Sequence, residues 1–407
     1  MKKLSIIVFA LLAMVGCSKK AEQQNLMKYR PLGVTGIEVS EIGIGCGAFE
    51  KFDTAQAREY MSLAMDSGVN YIDIYDANPT VRTNIGYALR GRRDRMNIQG
   101  HIGVIWKDGQ YSKTRDVEES RLGFEDLLAR LETDHIEVGM IHITDSWEQW
   151  EEIQGSEYLE YVKQLKAEGK IKHIGLSSHN AEVALAAVKS GLVEVLMFSL
   201  NPAFDRLPSG VNPWDADFAS KSMEGVDPVR IELYDYCTTH NIAIVNMKSF
   251  AGGRLLDATK SPLGVALTPV QCLAYVLAKP CVACALTGAN TCEELQQALD
   301  YVTATDDDKN YSKVLDRHDG QKAEQCNYCG HCAPCKAKID IAEVNRLLDE
   351  YEAQGCEGVS PELQARYDVL EHKASECQKC GECVGRCPFS VNIIERMAKA
   401  AAVFEHK

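Results

Sequence analysis

The chain has 407 residues, 45% hydrophobic and 25% charged, which is an ordinary globular composition and enough for one large domain and a smaller one. Its formal charge of −14 at pH 7 argues against nucleic acid or an acidic membrane surface as a partner, because both repel an acidic protein. Sixteen cysteines are unusual for a cytosolic enzyme without a metal.

Residues 1–17 have the pattern of a targeting segment. A positively charged start precedes an apolar run, residues 4–15, that is too short to cross a bilayer comfortably. The run leads into Met-Val-Gly-Cys, ending at Cys17, which resembles the lipobox of bacterial lipoproteins and implies that Cys17 is lipidated. We therefore expect an exported protein with a lipid anchor in a bacterial membrane and a polar tether over residues 18–28. The alternatives are a plain secretory signal and an apolar helix within the fold.

Short apolar runs alternate with amphipathic helical runs from Tyr29 to about Val302. Near-continuous apolar strands separated by helices are typical of a parallel sheet buried on both faces. Eight such units in this length indicate a TIM barrel; a doubly wound sheet is disfavoured because no G-x-G-x-x-G motif opens a first helix. We predict an α/β fold, a (β/α)8 barrel over residues 29–318, with its chemistry at the carboxyl ends of the strands. The predicted strands are Val39–Cys46, Asn70–Ile74, Asn97–Ile102, Ile136–His142, Ile171–Ser177, Val193–Asn201, Ile242–Lys248 and Val282–Ala289.

Five stretches within this alternation resemble the aldo-keto reductase superfamily. They are Gly68–Asp73, Ile85–Asp94, Thr133–His142, Lys170–Ser177 and Met247–Gly253. The resemblance implies reduction of a carbonyl by a nicotinamide hydride. It also implies a Tyr as general acid, a Lys and an Asp that tune this Tyr, and a His that orients the carbonyl.

Only half of the catalytic positions that the resemblance implies are kept. Asp73 matches the family Asp and His142 matches the family His, whereas Asn78 stands at the Tyr position and His101 at the Lys position. A phenol protonates an alkoxide near neutral pH only if an adjacent cation lowers its pKa. Both the acid and its tuning cation are therefore replaced.

Three interpretations of the barrel remain open from the sequence. The chain is a reductase in which His101 or Tyr75 donates the proton, since an imidazole titrates near neutrality without help. Alternatively, hydride chemistry is lost and the barrel is a binding or scaffold protein for a small molecule. In the third interpretation a metal is held by residues that end the first four strands, namely Cys46, Asp73, His101 and His142.

The resemblance also implies contacts to a dinucleotide. The matching residues are Ser177, Asn201, Lys248, Gly252 and Gly253. The two glycines allow backbone amides to approach a pyrophosphate. Glu293 and Glu294 stand where the family commonly places an Arg for the adenosine 2′-phosphate, and carboxylates would repel that phosphate. NADP is therefore disfavoured, and NAD, another nucleotide or no dinucleotide stay open.

Two runs of cysteines follow the barrel. They are Cys326, Cys329, Cys332 and Cys335, then Cys377, Cys380, Cys383 and Cys387. The second run has the C-x2-C-x2-C-x3-C-P pattern in which three thiolates hold one iron–sulfur cluster and the fourth usually serves the neighbouring cluster. Eight thiolates suit two 4Fe–4S clusters, with zinc or disulfides as alternatives. The first run is irregular, because two residues rather than three separate Cys332 from Cys335, and Lys336 stands where Pro is expected. Whether the domain holds one cluster or two therefore stays open.

The segments around the second cysteine run have helical periodicity. They are Ile339–Tyr351, Pro361–Lys373 and Val391–Val403. We predict a small α-helical, ferredoxin-like dicluster domain over residues 319–407. Together with the cysteine runs, the resemblance narrows to the bacterial aldo-keto reductases with a C-terminal ferredoxin-type domain. It implies a small-molecule substrate and electron exchange with a redox partner protein or a quinone-linked carrier.

Overall fold

The computed structural model describes residues 26–210, 225–315, 326, 328, 332–356, 358–387 and 391–405. No helix within these ranges is long and apolar enough to cross a membrane. The strands β1 to β12 are Tyr29–Pro31, Glu38–Ser40, Ile42–Gly45, Tyr71–Ile74, Asn97–Ile102, Val104–Lys107, Gln110–Lys113, Ile136–Ile141, Ile171–Ser178, Val195–Ser199, Ala243–Met247 and Val282–Thr287. The helices α1 to α14 are Thr54–Asp66, Pro79–Leu89, Val117–Leu131, Trp147–Ile153, Glu157–Ala167, Ala181–Lys189, Pro228–Thr239, Pro269–Leu277, Cys292–Leu299, Ser312–Leu315, Ile341–Ala353, Pro361–Asp368, Glu382–Arg386 and Ile393–Phe404.

Eight parallel strands close into a barrel. Their order around the barrel follows the chain, β3-β4-β5-β8-β9-β10-β11-β12, and β12 pairs with β3 through Ala285 and Ile42 to complete the ring. This closed ring confirms the predicted (β/α)8 barrel and excludes the doubly wound sheet, which would leave two open edges. Each of the eight predicted strands is present, with ends that differ by three residues or fewer from the observed ones.

Side-chain caps fix where the barrel helices begin. Asp53, Ser156 and Thr291, for example, each precede a helix and accept a hydrogen bond from a backbone N–H in its first turn. Such caps satisfy donors that have no partner within the helix. The helices then bury one apolar face against the strands, where Ile72, Ile98 and similar residues are fully buried.

The N-terminal hairpin β1–β2 covers one end of the barrel. Leu32 and Val39 of this hairpin are fully buried among interior barrel residues such as Val195 and Ala283. A Cβ on Gly33, whose φ is +59°, would lie 2.6 Å from the backbone O of Asn241, so this turn needs glycine to approach so closely. The chemistry-bearing ends of the strands therefore open at the opposite end.

A second hairpin, β6–β7, follows strand β5. It pairs Trp106 with Tyr111 in antiparallel register, and its turn contains Asp108 and Gly109, both with positive φ. Because this hairpin leaves from the carboxyl end of β5, it adds side chains to the open end of the barrel.

The C-terminal helices α11, α12 and α14 form a separate packed unit. Leu347, Tyr367 and Met397 belong to its own hydrophobic core, which shares no residue with the barrel core. The three helices predicted from periodicity are present here with shifted ends. Arg346 on α11 contacts Asp235 on barrel helix α7 at 3.4 Å and thereby links the unit to the barrel.

Candidate active site

A cleft of about 640 Å³ opens at the carboxyl ends of the barrel strands. The strands bring most of the residues singled out in the sequence to its wall. Those that line the cleft are Asp73, His101, His142, Ser177, Lys248, Gly252 and Gly253. An apolar portion of the wall includes Met197, Met247 and Leu286, so the cleft can take an organic molecule with a few polar groups.

Asn201 is not among the residues that line this cleft. Its Nδ2 donates to the carbonyl of Lys248 at 2.9 Å, and its Oδ1 accepts from the N–H groups of Ala203 and Phe204. The side chain is fully buried. Asn201 therefore holds the loops after β10 and β11 in place.

Asp73, His101 and His142 form one line of contacts across three neighbouring strands. His101 Nε2 lies 3.0 Å from Asp73 Oδ1, and His101 Nδ1 lies 2.6 Å from His142 Nδ1. All three side chains are buried, with exposed fractions of 1–2%. Beneath them, Gln99 Nε2 donates to Asp73 Oδ1 at 2.6 Å, and the Tyr71 hydroxyl donates to Gln99 Oε1 at 2.8 Å.

Tyr111 extends this line into the cleft. Its hydroxyl contacts His142 Nε2, and its half-buried ring lies on the cleft wall. Tyr111 belongs to strand β7 and was not anticipated from the sequence, which predicts only a loop there. The signal that could have found it is the Asp108-Gly109 pair between Val-Ile-Trp-Lys and Gln-Tyr-Ser-Lys, a pattern typical of a tight hairpin.

The Asp73 carboxylate at one end of this line sets the donor and acceptor roles of the other members. A carboxylate only accepts, so His101 donates from Nε2 to Asp73, and with a single hydrogen on this ring its Nδ1 accepts. His142 then donates from Nδ1, and its Nε2 accepts the Tyr111 O–H. We call this line, Tyr111–His142–His101–Asp73, the proton relay.

Burial keeps the proton relay neutral at its cleft end. Burial lowers the pKa of His142 well below its ordinary value of 6.5, and the charges of Arg115 and Lys113 lower it further. Burial also raises the pKa of Tyr111 to about 12. At neutral pH the phenol is therefore protonated and the imidazole uncharged, as the direction of donation requires.

The backbone after His142 is strained, and several contacts hold it. Ile143 has φ +38°, which is unusual for a β-branched residue. Its N–H donates to Ser177 Oγ at 2.8 Å, and Arg115 donates to the carbonyls of His142 and Ile143. These contacts fix the position of His142 in the proton relay.

The contacts of the four strand-end residues do not form a metal site. The two imidazoles face each other directly through their Nδ1 atoms, which leaves no space for an ion between them. Burial and the nearby Asp73 raise the pKa of the Cys46 thiol, which disfavours a thiolate ligand. In the part of the chain that the structure describes, no three His, Cys, Asp or Glu side chains are placed to hold one metal ion.

Two other candidate positions have clear structural surroundings. Asn78 accepts from the Thr80 N–H at 2.9 Å and caps helix α2, whose first residue is Pro79. Tyr75 lines the cleft and is 42% exposed, and burial of the remainder raises the pKa of its phenol. Within the described part of the chain, both ring nitrogens of His101 make hydrogen-bond contacts to members of the proton relay, whereas Tyr75 and Tyr111 bring phenolic hydroxyls to the cleft wall.

The loops after β11 and β12 form the other half of the cleft. Lys248, Gly252 and Gly253 have φ between +66° and +84°, and the Gly253 N–H donates to the Phe250 carbonyl at 2.9 Å, so the backbone turns tightly at the cleft wall. The pKa of Lys248 is lowered by burial in the cleft wall and raised in part by Asp73. Glu294 lies at the far end and accepts from the Asn290 N–H at 2.7 Å.

A small cavity in the C-terminal unit brings both cysteine runs together. Its thiols come from Cys335 of the first run and from Cys377, Cys380 and Cys383 of the second run. Apolar side chains complete the wall, among them Ile339, Ile341, Ile393 and Met397. Arg386 donates to the carbonyls of Cys332 and Pro334, both at 2.7 Å, and so ties the two runs to each other. Cys17 and Cys329 lie outside the described residues.

Comparisons with known proteins agree with this architecture. A sequence model described as the aldo/keto reductase family matches residues 41–266, and the match ends before the first cysteine run. The uncharacterized oxidoreductase YqkF of Bacillus subtilis (strain 168) is 28% identical over 312 residues, which cover 72% of this chain and 97% of that protein. The aldo-keto reductase YhdN of the same organism is 31% identical over 169 residues, which cover 38% of this chain and 48% of its own length.

Solved structures show the same barrel. The aldo-keto reductase AKR11C1 from Bacillus halodurans, in its holo form, superposes with a TM-score of 0.57 at 22% identity. The superposition covers 71% of this chain and 96% of that one. At this identity the likeness concerns the fold.

The buried His142 predicts a pH dependence of stability. Its pKa is lowered in the folded state, whereas in the unfolded chain it is about 6.5. Below that pH the unfolded chain binds a proton that the folded chain does not, so the free energy of unfolding falls by up to ~1.4 kcal/mol per pH unit as pH drops. Above about pH 6.5 this contribution is constant.

Urea unfolding of the wild type between pH 7.5 and 5.5 measures this slope. We expect His142→Gln to flatten it, and His135→Gln, at a partly exposed position, to leave it unchanged. An equal slope in the wild type and His142→Gln would show that His142 is not the titrating group.

Proposed function

The chain belongs to the aldo/keto reductase family, and from that premise we propose that its barrel interconverts a small carbonyl compound and the corresponding alcohol. Tyr111 is the group that exchanges a proton with the substrate oxygen. The observation that supports this most strongly is the unbroken proton relay from Asp73 through His101 and His142 to Tyr111 at the cleft.

The relay solves a difficulty that an isolated tyrosine would have. A phenol with a pKa of about 12 is a weak acid at neutral pH. A proton added to the relay can reside on the His101–His142 pair, beside the Asp73 carboxylate, with His142 Nε2 then donating to the Tyr111 oxygen. When Tyr111 gives its hydroxyl proton to the substrate, it takes this proton from His142, so no free phenolate forms.

The same relay accounts for the two replaced family positions. His101 occupies the position of the family Lys and connects Asp73 to His142. Asn78 occupies the position of the family Tyr and caps a helix, while Tyr111 supplies a hydroxyl from the hairpin β6–β7. We infer a relocated acid within an otherwise preserved barrel.

A nicotinamide dinucleotide fits the remaining half of the cleft, where it would supply or accept the hydride. Ser177 and Lys248 line the wall on that side, and the positive-φ loop at Gly252 and Gly253 lets the backbone approach a pyrophosphate closely. The Gly253 N–H itself donates to the Phe250 carbonyl at 2.9 Å. A Cβ on Gly288 would meet no atom within 4 Å, so the backbone there is open to a ligand. The Glu294 carboxylate disfavours a 2′-phosphate, and we therefore propose NAD.

Replacing Tyr111 by Phe tests the proposed acid. We expect Tyr111→Phe to lower kcat for NADH-dependent reduction of a carbonyl panel by ~10²–10⁴-fold, because a positioned general acid contributes about this much. Tyr75→Phe, which removes the other phenolic hydroxyl among the described residues on the cleft wall, should lower kcat less than tenfold. Loss in Tyr75→Phe with retention in Tyr111→Phe would identify Tyr75 as the acid. No hydride transfer in the wild type would favour the binding or scaffold protein.

We further propose that the C-terminal unit holds two 4Fe–4S clusters, which would pass single electrons. The four thiols around the small cavity come from three closely spaced cysteines and one of the other run, which is the crossed arrangement of dicluster proteins. Cys387 would then complete the second cluster with Cys326, Cys329 and Cys332. Each thiolate of such a cluster binds a different iron, so the ligands need not converge on one point as those of zinc do.

The exposure of Cys380 indicates where electrons would enter or leave. Cys380 is solvent-exposed, while Cys383 beside it is buried. A redox partner protein or a quinone-linked carrier could thus approach the cluster edge at Cys380. Lipidation of Cys17 would hold the exported protein at a bacterial membrane, close to such a carrier.

Iron and sulfide content of anaerobically purified protein tests the clusters. We expect ~8 irons and ~8 sulfides per chain, and ~4 of each in Cys380→Ser. Cys356→Ser changes an exposed cysteine outside both runs and should keep the full content. Cys335 and Cys380 share one cluster in this proposal. The double variant that combines Cys335→Ser with Cys380→Ser should therefore also keep ~4 irons. Zinc in place of iron, or near-complete loss in the double variant, would contradict the proposal.

A further inference from the structure

A second imidazole–carboxylate pair lies at the cleft, outside the proton relay. His179 follows strand β9 and Asp145 follows β8; His179 Nδ1 lies 3.0 Å from Asp145 Oδ2. The backbone N–H of His179 also donates to Asp145 Oδ1 at 2.7 Å. Burial raises the pKa of Asp145, but these bonds from His179 outweigh it and leave that pKa below its ordinary value. The carboxylate is therefore charged and fixes the proton of His179 on Nδ1.

The other ring nitrogen of His179 faces the cleft. Among the described residues, Nε2 has no hydrogen-bond partner. It is also not fully buried, so it is accessible from the cleft. His179 is one of the residues that line the cleft. An imidazole oriented by a carboxylate through Nδ1, with Nε2 open to a substrate, is the arrangement of a general base.

This pair is held rigidly beside the relay. The Asp145 N–H donates to Gln149 Oε1 at 2.8 Å, and Asn180 Nδ2 donates to the Asp145 carbonyl at 3.0 Å. Asn180 also caps helix α6. His179 and His142 line the same cleft. One cleft thus holds a base and, at Tyr111, a hydroxyl donor.

We propose that His179 and Tyr111 together catalyse proton transfer at the carbon next to a substrate carbonyl, an enolisation that requires no redox cofactor. His179 Nε2 takes the proton as the C–H bond breaks. The electron pair of that bond forms a C=C bond, and the carbonyl π pair becomes a lone pair on the enolate oxygen. This oxygen accepts a hydrogen bond from the Tyr111 O–H while the relay carries an added proton and His142 Nε2 donates to the Tyr111 oxygen. The reverse step returns a proton from His179 to carbon.

The substrate class that follows is an enolisable ketone or aldehyde. This inference rests on the proposed function only for the assignment of Tyr111 as the group that faces the carbonyl oxygen. His179 exchanges its proton with solvent between turnovers. The direct consequence is that hydrogen from the solvent replaces the hydrogen on the carbon next to the carbonyl.

The experiment uses the full chain without added nucleotide, in D₂O, with hydroxyacetone and dihydroxyacetone as probes. Loss of their methylene proton signals is followed by NMR. We expect the wild type to exchange these protons well above a protein-free blank. His179→Asn keeps an N–H for Asp145 and removes Nε2, and it should slow exchange ~100-fold or more.

A matched control exists within strand β9, which precedes His179. His173 at the other end of β9 also bonds a carboxylate through Nδ1, with Glu194 Oε1 at 2.8 Å, but it does not line the cleft. His173→Asn should exchange like the wild type. Equal loss in both variants, no loss in His179→Asn, or no exchange by the wild type above the blank would overturn the proposal.

Two further measurements keep the test decisive. If His179→Asn does not fold by circular dichroism, Tyr111→Phe replaces it, and unchanged exchange in that variant would overturn the pair of roles. NADH oxidation with the same probes is measured in parallel. Exchange without NADH oxidation would leave this inference standing while the proposed function fails, and NADH oxidation without exchange would do the opposite.

Discussion

Closure of the eight-stranded barrel is the constraint on which the rest of the structure depends. Pairing of β12 with β3 completes the ring, and the parallel register then sets Asp73 beside Gln99 on β5, and His101 beside Met140, two residues before His142. Because the strands are parallel, their polar ends meet in one place. The contacts between Asp73, His101 and His142 are thus a consequence of the fold.

A buried line of polar groups is stable only when each member is satisfied by the next. Burying an amide, a carboxylate or an imidazole without a partner costs several kcal/mol. Here Tyr71, Gln99, Asp73 and the two histidines satisfy one another in sequence. Removing one member would leave its neighbours unpaired, so the stability of the barrel and the alignment of its proton relay are coupled.

The sequence predicts the scaffold better than the chemistry placed on it. Apolar runs locate all eight strands, and the strand ends locate Asp73 and His142. Tyr111 and the pairing of His179 with Asp145 could not be predicted, because both depend on which loops fold over the cleft. Asn201 shows a different limit of sequence reasoning. Its match to the family predicted a dinucleotide contact, whereas in the structure its side chain anchors loops. The two cysteine runs are recognisable from their spacing alone, whereas the cavity at Cys335 depends on how the C-terminal helices fold.

The tautomers of His101 and His142 test the central claim most directly. Protein labelled with ¹⁵N only at histidine reports, by proton–nitrogen correlation NMR at pH 7, which ring nitrogen carries hydrogen. The relay predicts hydrogen on Nε2 of His101 and on Nδ1 of His142, with an unprotonated His142 Nε2 facing Tyr111. Hydrogen on Nδ1 of a neutral His101, or an imidazolium at His142, would contradict a relay that runs from Tyr111 to Asp73.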